Sequence, residues 1–265
     1  LLIQVSSAQN KYIRIYRSLG KRKIRRQTSL LPLEGTRLVH EAVRFGMRFE
    51  AVLLREGGGP ADFPFLENLW GRVPVCLVDD KLFEQSAFTE TPQGIMAVIR
   101  RPLFTLQDVF AATTPLVMVT DGLQDPGNLG TMLRSVAAAG AGGAVLLPGT
   151  TDVTNPKVLR SSMGAFFHLP VVEAPLAGFL TEIRKHGLRL VAAAADAGLE
   201  YDQYDWCQPS AVVFGNEGAG VSAEVLAEAD ATVAVPLSGD VESLNAAVAM
   251  SVIFFEASRQ RRIAR

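Results

Sequence analysis

At 265 residues, 48% hydrophobic, 20% charged and with a formal net charge of -1, the chain has the composition of a folded globular protein long enough for two domains, which excludes disorder as its overall state. No apolar run reaches the ~20 residues needed to span a bilayer, and the basic N-terminal region is followed by neither an h-region nor a cleavage site, so a cytoplasmic protein is expected. Two isolated cysteines, Cys76 and Cys207, and three histidines, His40, His168 and His186, share no ligand spacing, and neither a disulfide framework nor a metal site is expected.

The near-neutral total conceals an uneven distribution of charge. Residues 1–33 carry eight Lys or Arg and no acid, and the last seven residues add four Arg, so the ends are basic and the body between them is acidic. Such a chain is suited to meeting a polyanion at chosen surfaces. Over 10–19 the spacing predicts an amphipathic helix, with Tyr12, Ile15, Tyr16 and Leu19 on one face and Arg14, Arg17 and Lys21 on another. It runs on into Lys21, Arg22, Lys23, Arg25 and Arg26. A basic helix is commonly no more than a solvated face, but eight cations without one acid favour contact with nucleic-acid phosphates.

A short run at 29–33 is followed by a helix expected over 35–45 and a strand over 50–54. After the loop Gly57-Gly58-Gly59-Pro60 come a short helix (64–69), a strand (73–78), a short helix (80–86) and a strand (95–99). This alternation predicts a small α/β domain over 1–103. Residues 104–114 lack strong periodicity and are read as a linker to a second domain, 115–265.

The second domain opens with a strand (116–120), a turn (121–128) and a helix (129–139). Strands at 145–147, 169–172, 189–194 and 211–214 alternate with helices at 156–163, 176–185 and, capped by Ser222, up to 229. The chain finishes with a short β-rich run (233–235), a break at Pro236, a polar turn through Ser238, Gly239 and Asp240, and a long apolar helix for which Ser243 is the expected N-cap. Leu244 and Asn245 would then lie in its first turn. Strands rich in Val, Ala and Leu alternating with helices predict a parallel sheet covered on both faces, whose ligands bind at the carboxyl ends of its strands.

Three polar segments fall at such ends, and each alone has a bland explanation. The segment from Asp121 through Asp125, Pro126, Asn128 and Gly130 to Arg134 reads equally as a turn and helix cap. The glycine-rich turn from Gly215 to Gly220 matches neither GxGxxG nor GxxxxGK[ST], so neither a dinucleotide nor a P-loop site is supported. Together, however, the three can converge on one sheet edge, bringing Asn128, Arg134, Asn216, Glu217, Ser243 and Asn245. A set of amides, one hydroxyl, one Arg and one Glu, without a Ser/His/Asp set or a metal cluster, is suited to positioning groups for the transfer of an already activated group.

The three segments resemble, in order, the motifs of the SpoU (TrmH) family of RNA ribose 2'-O-methyltransferases. These residues are Asp125-Pro126-x-Asn128-x-Gly130 with Arg134, then Gly215-Asn216-Glu217-Gly218-x-Gly220 with Ser222, then Val235-Pro236 with Ser238 and Ser243-Leu244-Asn245. A looser likeness, carried by Asn155, Arg160, Gly164, His168 and Pro170 and by the preceding domain, is to the ribosomal-RNA branch with its L30e-like RNA-binding unit. The resemblance implies a SPOUT-type α/β fold with a deep trefoil knot formed by the loops around 215–222 and 237–243, in spite of the rarity of knots. It implies a homodimer that uses S-adenosylmethionine and releases S-adenosylhomocysteine, with Gly215, Val235 and Leu244 at the cofactor through main-chain groups, Ala194 and Glu217 nearby, and Asn216, Gly220 and Leu237 in the same loops. Arg134 would be the catalytic base, assisted by Asn128 and oriented by Ser243 and Asn245, with Glu217 shaping the site. Because a free guanidinium holds its proton strongly, an anchor for the adjacent phosphate stands beside that role. The expected reaction is methyl transfer to a ribose 2'-hydroxyl of ribosomal RNA, with 23S rRNA favoured and Arg14, Arg17, Lys21, Arg22, Lys23, Arg25 and Arg26 holding the RNA. A tRNA substrate and a non-catalytic RNA-binding dimer are the alternatives; DNA and membrane partners are not expected.

Overall fold

The structure, a computed structural model, describes residues 2–59, 61–239, 241 and 243–264. Pro60 and Asp240, both expected in turns, lie outside the described residues. The backbone forms two compact units, Leu1–Leu103 with Asp152–His168, and Phe104–Thr151 with Leu169–Arg265.

In the first unit the order is β1 (Leu2–Val5), α1 (Lys11–Ser18), α2 (Arg22–Thr28), β2 (Leu30–Glu34), α3 (Thr36–Arg44), β3 (Phe49–Arg55), a 3-10 turn (Pro64–Leu69), β4 (Val75–Val78), α4 (Asp80–Ser86) and β5 (Ile95–Arg100). The sheet runs β1-β4-β3-β5-β2, with β1 and β3 parallel to β4 and with β3 and β2 antiparallel to β5. Asn10 caps α1 by accepting a hydrogen bond from Tyr12 N, and Ile13, Tyr16 and Leu19 drive that helix onto Leu53, Val78, Phe83 and Met96. The buried stripe is thus centred one position away from the expected face: Tyr12 and Ile15 are only half-buried and sit at its edge. Two elements carry no periodic apolar signal and went unexpected. One is the edge strand β1; the other is α2, whose one fully buried side chain is that of Arg25.

The second unit continues with α5 (Leu106–Val109), β6 (Leu116–Thr120), α6 (Pro126–Ala138) and β7 (Gly143–Leu146). The stretch expected as a linker therefore carries a helix, closed by a Thr105–Asp108 capping box, and its Val109 and Phe110 belong to the unit's core. Between β7 and the next strand the chain contributes α7 (Pro156–Ser161) to the first unit, where it packs on β2. Gly164 in this segment has φ +90°, and a Cβ there would fall 2.6 Å from Glu41 Cβ, so only glycine allows that approach. The chain then returns to the second unit with β8 (Val171–Glu173), α8 (Leu176–Lys185), β9 (Arg189–Ala193), β10 (Ser210–Phe214), α9 (Ala223–Glu228), β11 (Ala231–Val233) and α10 (Ala246–Ile263).

These strands form one parallel sheet in the order β11-β9-β10-β6-β7-β8. From β6 the chain winds outward through β7 and β8, then crosses over so that β10 lies on the other side of β6. The strand order reverses at this β6/β10 boundary, where a doubly wound sheet leaves a crevice beyond its carboxyl ends. Among the described residues no helix is long and apolar enough to cross a membrane.

Candidate functional site

The crevice beyond Thr120 and Phe214 is built by the three polar segments. Asp121 N donates to Phe214 O at 2.9 Å, tying the first segment to the end of β10, and the Asp121 carboxylate accepts from Ser222 N at 2.8 Å. Pro126 opens α6 at a position that needs no N–H, and the Asp125 side chain caps it by accepting from Asn128 N at 2.7 Å.

The 215–222 loop is folded back on itself. Asn216 and Gly220 exchange two backbone hydrogen bonds of 2.9 Å, while Asn216 Oδ1 accepts from Gly218 N and Ala219 N, and its Nδ2 donates to Gly122 O. Gly215 lies so close to the returning strand of the loop that a Cβ would stand 2.0 Å from Gly220 C. This fold directs Glu217 at the start of α6, where its carboxylate accepts from Gln124 N (3.1 Å), Asp125 N (3.0 Å) and Asn128 Nδ2 (3.1 Å). Partial burial pushes the carboxyl up, but the backbone N–H groups of Asp125 and Gln124 and the Asn128 amide outweigh it and hold Glu217 below the usual carboxylate range.

The third segment meets the first through Asn245, whose Nδ2 donates to Asn128 Oδ1 at 2.9 Å. Its Oδ1 meanwhile accepts from Ala247 N and Val248 N. Asn245, not Ser243, is therefore the N-cap of α10. The physical reason is reach: one amide oxygen satisfies two of the helix's free N–H groups, so helical geometry starts at Ala246 and leaves Ser243 and Leu244 in an irregular stretch. A continuous relay results, from Asn245 to Asn128 to Glu217, in which each amide is fixed in orientation by what it donates and accepts.

Beside this relay lies a cavity of about 300 Å³. Ala194, Gly215, Asn216, Gly220, Val235, Leu237 and Leu244 all line it, together with Glu217, Ser243 and Asn245. Sequence reasoning missed other apolar parts of its wall, among them Ala193, Phe214, Val233, Ala249 and Ile253, although three of these are strand-terminal residues that the carboxyl-end rule points to. The chemistry of the lining suits a nucleoside-sized ligand: apolar walls for a flat ring, main-chain polar groups at two loops, and no side chain at Gly215. Among the described residues no group of His, Cys, Asp and Glu could hold a metal ion.

Asn128 and Arg134 are not among the residues lining the cavity. Arg134 is exposed on α6, and its guanidinium makes no hydrogen bond or ion pair with a described residue. In the first unit, Arg14, Arg17, Lys21, Arg22, Lys23 and Arg26 are exposed. Arg25 is the exception and corrects the expectation that it contacts RNA. Only 4% exposed, it donates to Asp152 Oδ2, Thr154 Oγ1 and the carbonyls of Leu19 and Gly20, so its charge is spent inside the unit.

Comparison with known proteins matches residues 115–255 to the SpoU rRNA Methylase family. The chain belongs to the SpoU rRNA methylase family. Residues 10–97 match the MRM3-like substrate binding domain. The chain is 37% identical over 253 residues to the 23S rRNA (guanosine(2553)-2'-O)-methyltransferase RlmP of Bacillus subtilis, covering 95% of this chain and 98% of that protein. Among solved structures, the AdoMet-bound rRNA methyltransferase from Sinorhizobium meliloti superposes with a TM-score of 0.87 at 29% identity, covering 97% of this chain and 98% of the other. The SpoU methyltransferase AviRb from Streptomyces viridochromogenes, in complex with AdoMet, gives 0.87 at 28% identity, covering 97% of this chain and all of that one. The SpoU match begins one residue before β6 and includes all three segments that build the crevice.

Proposed function

We propose that this SpoU methylase transfers the methyl group of S-adenosylmethionine to a ribose 2'-hydroxyl of 23S rRNA. The observation that carries the reading is the relay from Asn245 through Asn128 to Glu217, which joins the three motif segments at the edge of the cavity. The cavity at 215–220, 235–237 and 244 fits the cofactor by its apolar walls and main-chain donors, and S-adenosylmethionine supplies there a methyl carbon already activated on a sulfonium. With the cofactor bound, bonding of the ribose oxygen to that carbon would break the carbon–sulfur bond, release S-adenosylhomocysteine and pass the 2'-O–H proton to solvent water.

The chain's own residues act on the RNA side. Glu217, ionised and saturated by donors, holds Asn128 in one orientation; Asn245 holds it from the other side, so the relay is preorganised and costs no rearrangement on binding. Arg134, whose guanidinium has no side-chain partner among the described residues, is a cation available to the ribose oxygen and its neighbouring phosphate, orienting the hydroxyl and stabilising the charge that develops on it. Ser243, exposed at the cavity mouth, orients the ribose.

The reading extends to a homodimer, in which the exposed Val248 and Phe255, two turns apart on α10, and Val241 are covered by a second copy. It also carries a trefoil-knotted C-terminal segment and a cytoplasmic location. The likeness to RlmP of Bacillus subtilis, a 23S rRNA 2'-O-methyltransferase, supports a ribosomal target over tRNA. Transfer of labelled methyl to unmodified ribosomal and transfer RNA, followed by nuclease mapping, tests the proposal. Label on one 2'-O-methylated nucleotide of 23S rRNA is expected; label on tRNA alone refutes the ribosomal target, and absence of cofactor binding refutes the enzyme.

A further inference from the structure

The first unit holds a second cavity that the methyl-transfer chemistry does not use. It measures about 540 Å³ and lies at the edge of the five-stranded sheet where β3 and β4 begin, with Lys11, Tyr12 and Ile15 of α1 on one wall. Three exposed cations open onto it, Lys11, Arg48 and Arg72. Half-buried Tyr12 and buried Phe49 make part of its wall aromatic.

Glu50 is the unusual member. The pairing of β3 with β5 slips between Phe49 and Ala51, which leaves Glu50 as the extra residue of a β-bulge. Bulges re-aim a side chain and are common beside binding sites; this one places an acid at a cavity ringed by cations. Glu50 Oε1 is buried and stands 2.6 Å from Arg100 Nε and 3.9 Å from Arg48 Nε, yet among the described residues it receives no hydrogen bond of acceptable direction. The charge is balanced while the acceptor capacity stays largely unused, and the side chain keeps 34% exposure on its other atoms.

A bare phosphate would leave the acceptor of Glu50 unmet, and a metal ion would be repelled by the three cations. A nucleotide satisfies both. We propose that this cavity takes one unpaired nucleotide of the RNA substrate, with its phosphate on Lys11 and Arg72, its base against Tyr12, and an exocyclic amine of the base donating to Glu50. Bases splayed out of single strands are read in this way, by stacking on an aromatic ring and hydrogen bonds at their edges. Adenine, cytosine and guanine carry the amine; uracil presents its N–H between two carbonyl oxygens that a carboxylate repels. An adjoining cleft shares Lys11 and Ile15 and adds Arg14 and Arg17, so cations at every third position of α1 carry the strand onward. The inference rests on the reading of the chain as an RNA-modifying enzyme and names where that RNA is sampled for sequence.

The test uses the full chain and short single-stranded homopolymers (oligoadenylate, oligocytidylate and oligouridylate) across a salt series. Oligoadenylate and oligocytidylate are expected to bind about tenfold tighter than oligouridylate. The K11A/R72A variant should bind all three more weakly and flatten the log–log salt slope by about 0.7, the value for one phosphate no longer neutralised on a single strand. E50Q, checked for an unchanged thermal midpoint because Glu50 also pairs with Arg100, should bring the homopolymers to nearly equal affinity. Equal affinities in the unaltered protein, or an unchanged slope in K11A/R72A, overturn the proposal. Methyl transfer to 23S rRNA is assayed in parallel. Activity together with those null results removes only the nucleotide subsite, whereas no transfer to any RNA removes the enzymatic reading and leaves the homopolymer data to judge the cavity.

Discussion

Arg25→Ala is expected to loosen the first unit without removing any charge that RNA can feel. Arg25 is 4% exposed and Asp152 8% exposed, and their side chains meet at 2.5 Å. Truncation removes that contact, the bond to Thr154 and the donors to the carbonyls of Leu19 and Gly20. Leaving one partner of a buried pair uncompensated costs about 3–5 kcal/mol. Arg22 Nε, 3.7 Å from the same carboxylate and half exposed, retains part of the attraction, which places the expected loss near the lower end, about 3 kcal/mol. That corresponds to about a hundredfold rise in local opening.

Hydrogen exchange read by peptide resolves the two units and should show the loss of protection in 152–168 and 19–34, with unit two unaffected. The pH dependence has a definite sign. Burial pushes the Asp152 carboxyl up, but hydrogen bonds from Thr154 and Arg25 hold it below the usual range. A depressed folded pKa contributes stability that is complete above the unfolded value of about 3.9 and is lost as pH falls through the folded one. The gap between wild type and variant should therefore be widest at neutral pH and narrow below about pH 4. Unchanged exchange in 152–168, together with a shallower salt dependence of RNA binding, would refute the reasoning and return Arg25 to the RNA-facing set.

Further outcomes are expected at four places in the chain. Arg134→Ala should lower kcat for methyl transfer by about 10²–10³-fold while cofactor affinity holds, as for loss of one oxyanion-stabilising donor; parallel loss of cofactor binding in a titration would make Arg134 structural. Asn245→Ala should cost about 1 kcal/mol through the lost cap of α10 and also lower activity. Asn245→Asp should keep the cap but set a carboxylate against Asn128 Oδ1, so stability measured by urea unfolding recovers and activity does not. Gly215→Ala places a methyl 2.0 Å from backbone Gly220 C, which must open the Asn216–Gly220 bridge; calorimetry should show cofactor binding weakened well beyond tenfold or lost, and intact binding would show that the loop is not the cofactor's wall. Alanine at Arg22, Lys23 and Arg26 together should flatten the salt slope of RNA binding by about 2, at about 0.7 per contact.

The parts of this protein legible in the sequence are those decided within a few residues of themselves. Leu116–Thr120, Leu176–Lys185 and Asp80–Ser86 lie where their periodicity places them. The three polar segments could be assigned to one edge because parallel strands put every following loop on the same side. Helix α2 was invisible because its buried residue is an arginine, which no hydrophobic pattern marks. Ser243 and Asn245 are equally good caps as residue types, and the choice fell to Asn245, whose other amide end is held by Asn128, 117 positions away. The tertiary structure alone decided which cations face solvent. Arg14, Arg17, Lys21, Arg22, Lys23 and Arg26 remain exposed while Arg25 turns inward, because the carboxylate that neutralises it is supplied 127 residues later by Asp152, beyond the reach of any local rule.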